Sequence, residues 1–435
     1  MGKLRKSLQV RKERAILVAA IIRSKRGDDL AELTALAESA GAVVVDRFQQ
    51  RLRSRHPGTY IGKGKAQELA ERAKRFDADV IIFDNDLSPG QIRELEELAQ
   101  VKVLDRSELI LDIFATRAQT LQAKLQVELA QLEYTYPRLT RMWSHLDTVA
   151  GAGGATAAGS VGAIGTRGPG EKQLEIDRRL VSKRITELKR ELVVIDDRKL
   201  REIGTRRETF KLCIVGYTNA GKSTLLNTLT DAGVFVEDRL FATLDTRTRQ
   251  WSPRKGVEVL ISDTVGFVRD LPHQLVESFK ATLEEAVNAD LLLHVIDVAN
   301  AEVLSQIEAV DKVLAEIGCG NKPTVKVLNK ADVIQNLDRL EMLQTIYPDA
   351  VTVSAKTGMG LDKLGQVVCD RYQGGEERVC VTCRPSDGRL MAFLRTHGKI
   401  LQETYLEDSV RIEVLLGRNQ MTGLHRLHPE QIEIL

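Results

Sequence analysis

Phe210-Lys-Leu-Cys-Ile-Val215 runs directly into Gly216-Tyr-Thr-Asn-Ala-Gly-Lys-Ser223, and this junction decides the fold. The first six residues are a short apolar run ending at glycine, which reads as a strand. The next eight fit GxxxxGKS, and Thr224-Leu-Leu-Asn-Thr-Leu229 reads as the start of a helix. A phosphate-binding loop needs that strand–loop–helix setting. Gly216 and Gly221 let backbone N–H groups close around phosphate oxygens, and the helix N-terminus adds a favourable field. Lys222 is expected to reach the β- and γ-phosphates, and the Ser223 hydroxyl to ligate Mg²⁺.

Four further motifs follow in an order that narrows the ligand. Asp263-Thr-Val-Gly266 comes after the apolar run Val257–Ser262. A carboxylate at a strand end is the usual outer anchor of a nucleotide's Mg²⁺, acting through water, and the Gly266 N–H can sense a γ-phosphate. Phe241-Ala-Thr-Leu-Asp245 lies between the two motifs, where a switch segment belongs, and Thr243 is its candidate Mg²⁺ ligand. Asn329-Lys-Ala-Asp332 follows Thr324–Leu328, and the Asp332 carboxylate suits the paired N1–H and 2-amino donors of guanine. Adenine has no such pair, so the base is discriminated. Ser354-Ala-Lys356, after Ala350–Val353, offers a backbone N–H to the guanine 6-oxygen. The expected nucleotide site is therefore Gly216, Tyr217, Thr218, Asn219, Ala220, Gly221, Lys222, Ser223 and Thr224. To these are added Phe241, Ala242, Thr243, Leu244 and Asp245, then Asp263, Thr264, Val265 and Gly266. Asn329, Lys330, Ala331 and Asp332 with Ser354, Ala355 and Lys356 complete it. Lys222, Thr243 and Gly266 are expected to carry the catalytic work.

Length and composition set the frame. The 435 residues suit about three domains of ~150 residues each. Aromatics make up only 4% of the chain, too few for stacking platforms along single-stranded nucleic acid. Five cysteines, an odd number, argue against a disulfide framework and for a reducing compartment. No apolar run approaches the ~20 residues of a membrane span. A cytoplasmic monomer is expected, with peripheral membrane association left open.

The chain reads as modular. Residues 1–26 carry nine Lys/Arg against one acid, a basic arm leading into the first strand. Apolar runs at Ala15–Ile22, Ala42–Val45, Val80–Asp84 and Val101–Leu104 alternate with helical patterns, the signature of a small parallel α/β domain over 1–115. Leu109–Leu146 reads as one helix, with Leu121, Leu125, Leu129 and Leu132 at three- and four-residue steps. Gln173–Arg207 reads as a second, and the two are expected to form an antiparallel hairpin over 116–208, joined through a Gly/Ala-rich loop at 150–170. A GTPase-type α/β domain is expected over 209–373. A small α+β domain over 374–435 should hold strands at Arg378–Thr382, Val410–Leu416 and Ile432–Leu435 around one helix.

With these motifs in place the chain resembles the HflX family of GTPases. Gly165-Thr-Arg-Gly-Pro-Gly-Glu171 with Lys172-Gln-Leu-Glu-Ile-Asp-Arg-Arg179 is similar to that family's hallmark ahead of the G domain. So are Tyr60-Ile-Gly-Lys-Gly-Lys65, Leu111-Asp-Ile-Phe114, Lys124-Leu-Gln-Val-Glu-Leu-Ala130 and Phe241-Ala-Thr-Leu-Asp245. The resemblance implies a GTPase that binds the large ribosomal subunit through ribosomal RNA and splits stalled or idle ribosomes in its GTP form. Thr246 stands where the family usually has proline.

The residues point to RNA independently. Between Arg47 and Lys65 lie Arg47, Arg51, Arg53, Arg55, Lys63 and Lys65 without one acid. Such cations release counterions from a phosphate backbone, and the interleaved glycines permit close approach. A solvated basic loop is the plainer alternative. Cys380-Val-Thr-Cys383 has no second CxxC, so strand alternation explains it better than zinc, even with His397, His425 and His428 nearby in sequence. Phe267 occupies the position after Asp263-Thr-Val-Gly266, and its side chain has no hydrogen-bonding chemistry with which to orient water. Slow intrinsic turnover with an external activator is expected. Asn219 resembles the K⁺-coordinating asparagine of cation-activated GTPases, with a simple turn-stabilising role as the alternative. A nucleotide-gated RNA- or membrane-associated scaffold with little turnover is the second reading left open.

Overall fold

The computed structural model describes residues 12–21, 30–142, 169–204, 210–230, 241, 247–254, 257–269, 280–334, 337–373, 376–406, 409–427, 429 and 431–434. The chain divides into two compact units. The first comprises residues 1–205 with 237–245 and 270–281, and the second 206–236, 246–269 and 282–435.

In the first unit, β1 (Arg14–Ile21), β2 (Val43–Arg51), β3 (Val80–Phe83) and β4 (Lys102–Leu104) form a parallel sheet in the order β2-β1-β3-β4. The interior of β1 is buried along its whole length, as befits a central parallel strand covered on both faces. Helices α1 (Ala31–Ser39), α2 (Lys63–Arg75), α3 (Pro89–Ala99) and α4 (Arg106–Arg117) alternate with the strands. Each start is legible locally. Ser88 and Gln91 make a reciprocal capping box with Pro89 in the first turn. The Asp105 carboxylate caps α4 by accepting the Glu108 N–H at 2.9 Å.

The single helix expected over Leu109–Leu146 is instead α4 followed by α5 (Leu121–Met142). Ala118 leaves helical geometry at ψ 114°, and Thr120 restarts the helix by accepting the Ala123 N–H at 3.2 Å. α6 (Pro169–Gly204) packs along α5 through Leu125, Leu129, Leu188 and Leu192, whereas Leu121 is exposed. Arg184–Glu128 and Lys189–Glu133 ion pairs flank that seam at 2.8 and 2.7 Å. The segment joining the two helices, with residues 150–168 of the Gly/Ala-rich stretch, lies outside the described residues.

A buried carboxylate fastens α5 to the sheet domain. Asp105 is fully buried and accepts from Leu87 N–H at 3.3 Å, Glu108 N–H, the Arg138 guanidinium at 2.7 Å and the Tyr134 hydroxyl. Beside it, burial first and the Asp105 charge second push the Glu108 carboxyl from 4.5 to about 7, with Lys102 and Arg138 pulling back. A carboxyl raised on folding favours the fold in its protonated form. That contribution is present below the unfolded value and lost as pH rises through about 7. Glu108→Gln is expected to match the parent near pH 5 and exceed its stability at pH 8. The gain is roughly 1–2 kcal/mol after discounting for solvent screening. Denaturant titrations at the two pH values check this, and an unchanged pH slope contradicts it.

The second unit holds two sheets. β5 (Phe210–Gly216), β6 (Arg247–Arg254), β7 (Val257–Asp263), β8 (Leu291–Asp297), β9 (Thr324–Asn329) and β10 (Val351–Thr352) lie in the order β10-β9-β8-β5-β7-β6. All pairs are parallel except β6 with β7. Helices α7 (Lys222–Thr230), α8 (Lys280–Val287), α9 (Val303–Glu316), α10 (Leu337–Ile346) and α11 (Leu361–Gln373) accompany them. α7 begins at Lys222, two residues before the expected Thr224. Strand order reverses beside β5, and ligands of open α/β sheets bind at the strand C-termini near such a point. Leu212, Ile214, Val259, Ile261, Leu293 and Val295 fill the core beneath it.

β11 (Glu376–Cys383), α12 (Gly388–His397), β12 (Gly398–Tyr405), β13 (Val410–Gly417), α13 (Arg418–Arg426) and β14 (Gln431–Ile434) follow. Their antiparallel order, β12-β13-β11-β14, is the split βαβ arrangement. Among the described residues, the expected three strands and one helix are thus four strands and two helices. β12 carries exposed apolar residues among polar ones, and α13 is mostly polar, so neither announces itself. No helix among the described residues is long and apolar enough to cross a membrane.

Candidate functional site

The C-terminal ends of β5, β7, β8 and β9 gather the motifs around one loop. Lys222 opens α7 almost fully buried, and its ammonium donates to the Tyr217 carbonyl at 2.9 Å. Burial draws its pKa down to about 8, with the Asp263 charge pulling the other way. The Ser223 hydroxyl donates to Asp263 Oδ2 at 2.6 Å. A hydroxyl and a buried carboxylate brought together are hard oxygen donors, the set that suits Mg²⁺. Residues Ser223 and Asp263 therefore fit that ion.

The Asp263–Gly266 segment is laid against the phosphate-binding loop. Thr218 N–H donates to the Phe267 carbonyl at 2.7 Å, and Phe267 N–H to the Gly216 carbonyl at 3.1 Å. A Cβ on Gly266 would come within 2.7 Å of Thr218 Cα and 3.0 Å of Lys222 Nζ, so only glycine fits. Thr264 Oγ1 donates to the Ile214 carbonyl at 2.7 Å, and both Val265 and the Phe267 ring are buried. Sequence reading missed a further tie: the Tyr217 hydroxyl accepts the Arg269 N–H at 2.8 Å. Asn219 is exposed at φ 60°, a left-handed conformation that asparagine tolerates well.

On the base side, Asn329 acts as a clamp. Its Nδ2 donates to the Ala220 carbonyl at 2.8 Å and its Oδ1 accepts the Ala355 N–H at 2.9 Å. Three motifs are thereby tied through one buried side chain. Lys330 is left-handed at φ 64° and bonds Asp297 Oδ2 at 2.7 Å, a partner the sequence reading did not single out. The fully buried Ser354 donates its hydroxyl to Asp332 Oδ1 at 2.7 Å and accepts the Thr357 N–H at 3.2 Å. Asp332 and Lys356 lie exposed at the rim, and Ala331 N–H bonds the Val353 carbonyl at 3.3 Å. Ala242, Thr243, Leu244 and Asp245 lie outside the described residues. Phe241 belongs to the first unit, where its buried ring meets Phe114 edge-on at 4.5 Å.

The basic run spans three elements rather than a single loop. Arg47 and Arg51 project from β2, the edge strand, and Arg53 and Arg55 enter a turn closed by His56 and Tyr60 pairing through both backbone bonds at 2.9 Å. Lys63 and Lys65 open α2. All six are exposed, although Lys65 is engaged with Glu68 at 2.6 Å. Cys380 and Cys383 are both buried, but they face opposite sides of β11. Cys383 Sγ contacts Met391 at 3.9 Å, while Cys380 Sγ accepts the Arg411 Nε–H at 2.8 Å. No group of three metal-ligating side chains is found among the described residues.

Comparison with known proteins follows the same division. Residues 27–115 match the family described as GTP-binding GTPase N-terminal, 117–206 its middle region, and 211–330 the 50S ribosome-binding GTPase family. A GTPase HflX of Lacrimispora saccharolytica is 44% identical over 424 residues, covering 95% of each chain. A GTPase HflX of Escherichia coli is 41% identical over 431 residues, covering 97% of this chain and 98% of that one. Among solved structures, the chain is similar to a GTP-binding protein of the archaeon Sulfolobus solfataricus in complex with GDP. That likeness is at 24% identity and TM-score 0.43, over 83% of this chain and 98% of that one. Matched from end to end at this identity, and carrying the phosphate-binding loop and guanine-type motifs at adjoining strand ends, the chain belongs to the HflX family of GTPases and hydrolyses GTP.

Proposed function

We propose that this GTPase binds the large ribosomal subunit in a nucleotide-dependent way and splits or rescues stalled and idle ribosomes. The observation that carries the reading is the acid-free set of six exposed cations from Arg47 to Lys65, presented by an edge strand, a tight turn and a helix start. The 50S ribosome-binding description of the family matched over 211–330 supports it. The reading takes the chain as a cytoplasmic monomer with domains at 1–115, 116–208, 209–373 and 374–435.

On this reading the backbone from Gly216 to Thr224 cradles the phosphates and Lys222 spans the β- and γ-oxygens. Gly266 meets the γ-phosphate, while Asp332, Lys330 and Ala355 hold the base. Ser223 would hold Mg²⁺ directly and Asp263 through water, while Thr243, the other expected ligand, lies outside the described residues. The ion supplies charge neutralisation at the β/γ oxygens when bound. The buried Phe267 ring leaves no side chain at its position to orient water, so a partner completes the site. The decisive measurement is GTP turnover with and without large ribosomal subunits. Stimulation supports the proposal, and unstimulated, negligible turnover favours a nucleotide-gated scaffold.

Two further outcomes are expected. Arg51, Arg53 and Arg55 changed together to Ala weaken ribosome binding and flatten its salt dependence by roughly 0.7–0.9 slope units per lost phosphate contact. Nucleotide affinity stays unchanged, and unaltered ribosome binding would identify these arginines as solvated surface. The Asn219 position supports K⁺ as a second ion that places positive charge on the nucleotide oxygens. Single-turnover hydrolysis is expected to run faster in KCl than in NaCl at equal ionic strength, with Asn219→Ala removing the difference. Equal rates in both salts leave Asn219 a turn residue.

A further inference from the structure

A cavity of about 620 Å³ opens within the first unit between α3, β4, α4 and α5. Ile92, Val103 and Leu111 give it apolar walls, and Glu108 and Asp112 line it from one face of α4, a single turn apart. Asp112 belongs to the Leu111-Asp-Ile-Phe114 motif, to which the nucleotide site gives this carboxylate no task.

The charges around the cavity do not balance. Of its cations, Arg93 faces Glu97 at 3.5 Å, and Arg138 bonds buried Asp105 at 2.7 Å while standing 3.6 Å from Glu108. Lys102, exposed on β4, makes no ion pair among the described residues. Against it stand Glu96, which accepts the Val103 N–H at 3.1 Å, together with Glu108 and Asp112. Asp112 pairs with no cation among the described residues. Burial is the largest influence holding both α4 carboxyls above their ordinary range. Two desolvated carboxyls on an apolar wall gain from a cation that enters with its own apolar body.

We propose that this cavity binds a small organic cation, an ammonium or guanidinium group on an apolar stem, held by the Glu108 and Asp112 carboxylates. The stem packs on Ile92 and Leu111 while the charged head lies between the two acids. The same pair repels anions. A bare divalent ion is a poor occupant, because it needs about six oxygen ligands and no cluster of that kind is found among the described residues. Binding tightens as pH rises through about 7, since the carboxylate form of Glu108 is the one that pairs. The groups facing Glu108 are Asp105 and Asp112 on α4 and its cap, Lys102 on β4, Arg93 and Glu96 on α3, and Tyr134 and Arg138 on α5.

The test is calorimetric titration of the full chain with pentylamine near pH 8. Saturable one-to-one binding is expected, weakened by about tenfold or more in the Glu108→Gln, Asp112→Asn double variant. Lys102→Ala tightens it by removing the competing cation. Protection of the β1 and β3 amides from hydrogen exchange, measured on the same preparations, reports that the first unit of the double variant is folded. Pentanoate, the anion of matching length, does not bind. Absence of saturable pentylamine binding, equal affinity in the folded double variant, or binding of pentanoate overturns the proposal.

Discussion

Asp332→Asn lowers GTP affinity by roughly two to four orders of magnitude and makes xanthosine triphosphate the preferred ligand. Two charge-assisted hydrogen bonds to the guanine edge are lost, at about 1.5–3 kcal/mol each. The neighbouring geometry decides which way the new amide points. Thr357 N–H donates to Ser354 Oγ at 3.2 Å, which directs the Ser354 hydroxyl proton toward Asp332 Oδ1 at 2.7 Å. The asparagine oxygen therefore keeps the Oδ1 place, and its NH₂ replaces the oxygen that would face the base. That NH₂ donates where xanthine accepts. Competition binding with the two nucleotides measures the exchange, and an unchanged preference for GTP contradicts the assignment of Asp332 to the base.

Gly221→Ala is the second large effect. The residue sits at φ +92°, and a Cβ there would lie 2.3 Å from Asn329 Nδ2. The backbone strain costs about 1–3 kcal/mol. Displacing Asn329 breaks its bonds to Ala220 and Ala355, and each buried group left unpaired costs about 1–3 kcal/mol more. The expected sum is roughly 3–9 kcal/mol against the fold or against nucleotide binding, a large part of a domain's stability. Gly64→Ala is the control. It lies in α2 with nothing within 4 Å of its Cβ and is expected to stabilise by up to about 1 kcal/mol. Chemical denaturation and nucleotide titration on both variants check the contrast, and a neutral Gly221→Ala refutes the clamp.

The motifs of the candidate nucleotide site were legible because they are short, carry their own backbone chemistry and stand at the ends of apolar runs. What stayed hidden depends on tertiary partners. Nothing in Asn329-Lys-Ala-Asp332 says that the asparagine amide spans two other loops, or that Lys330 turns to Asp297. The Tyr217 hydroxyl finds Arg269 only because Phe267 pairs with the phosphate-binding loop. Phe241 stands at the head of the switch motif, so adjacency suggested the nucleotide, while its ring is taken up by Phe114. β2 was read too short because Asp46, Arg47 and Gln49 interrupt its apolar run, which an edge strand tolerates. The break after α4 was missed because leucine spacing continues through it and only the Ala118 and Thr120 geometry marks it. The parallel sheets, by contrast, follow from near-continuous apolar strands alternating with amphipathic helices.

The Asp105 network bears on how this protein can be dissected. A recombinant fragment trimmed at residue 115 keeps every strand of the first sheet, yet it discards Tyr134 and Arg138. Two of the four donors that Asp105 receives go with them. The truncated piece would lose the buried ion pair to Arg138 and open Asp105 to water on the side that α5 covers. The smallest autonomous piece of the amino-terminal half therefore extends through α5. Its partner α6 has to come with it, because Leu125 and Leu129 would otherwise face solvent.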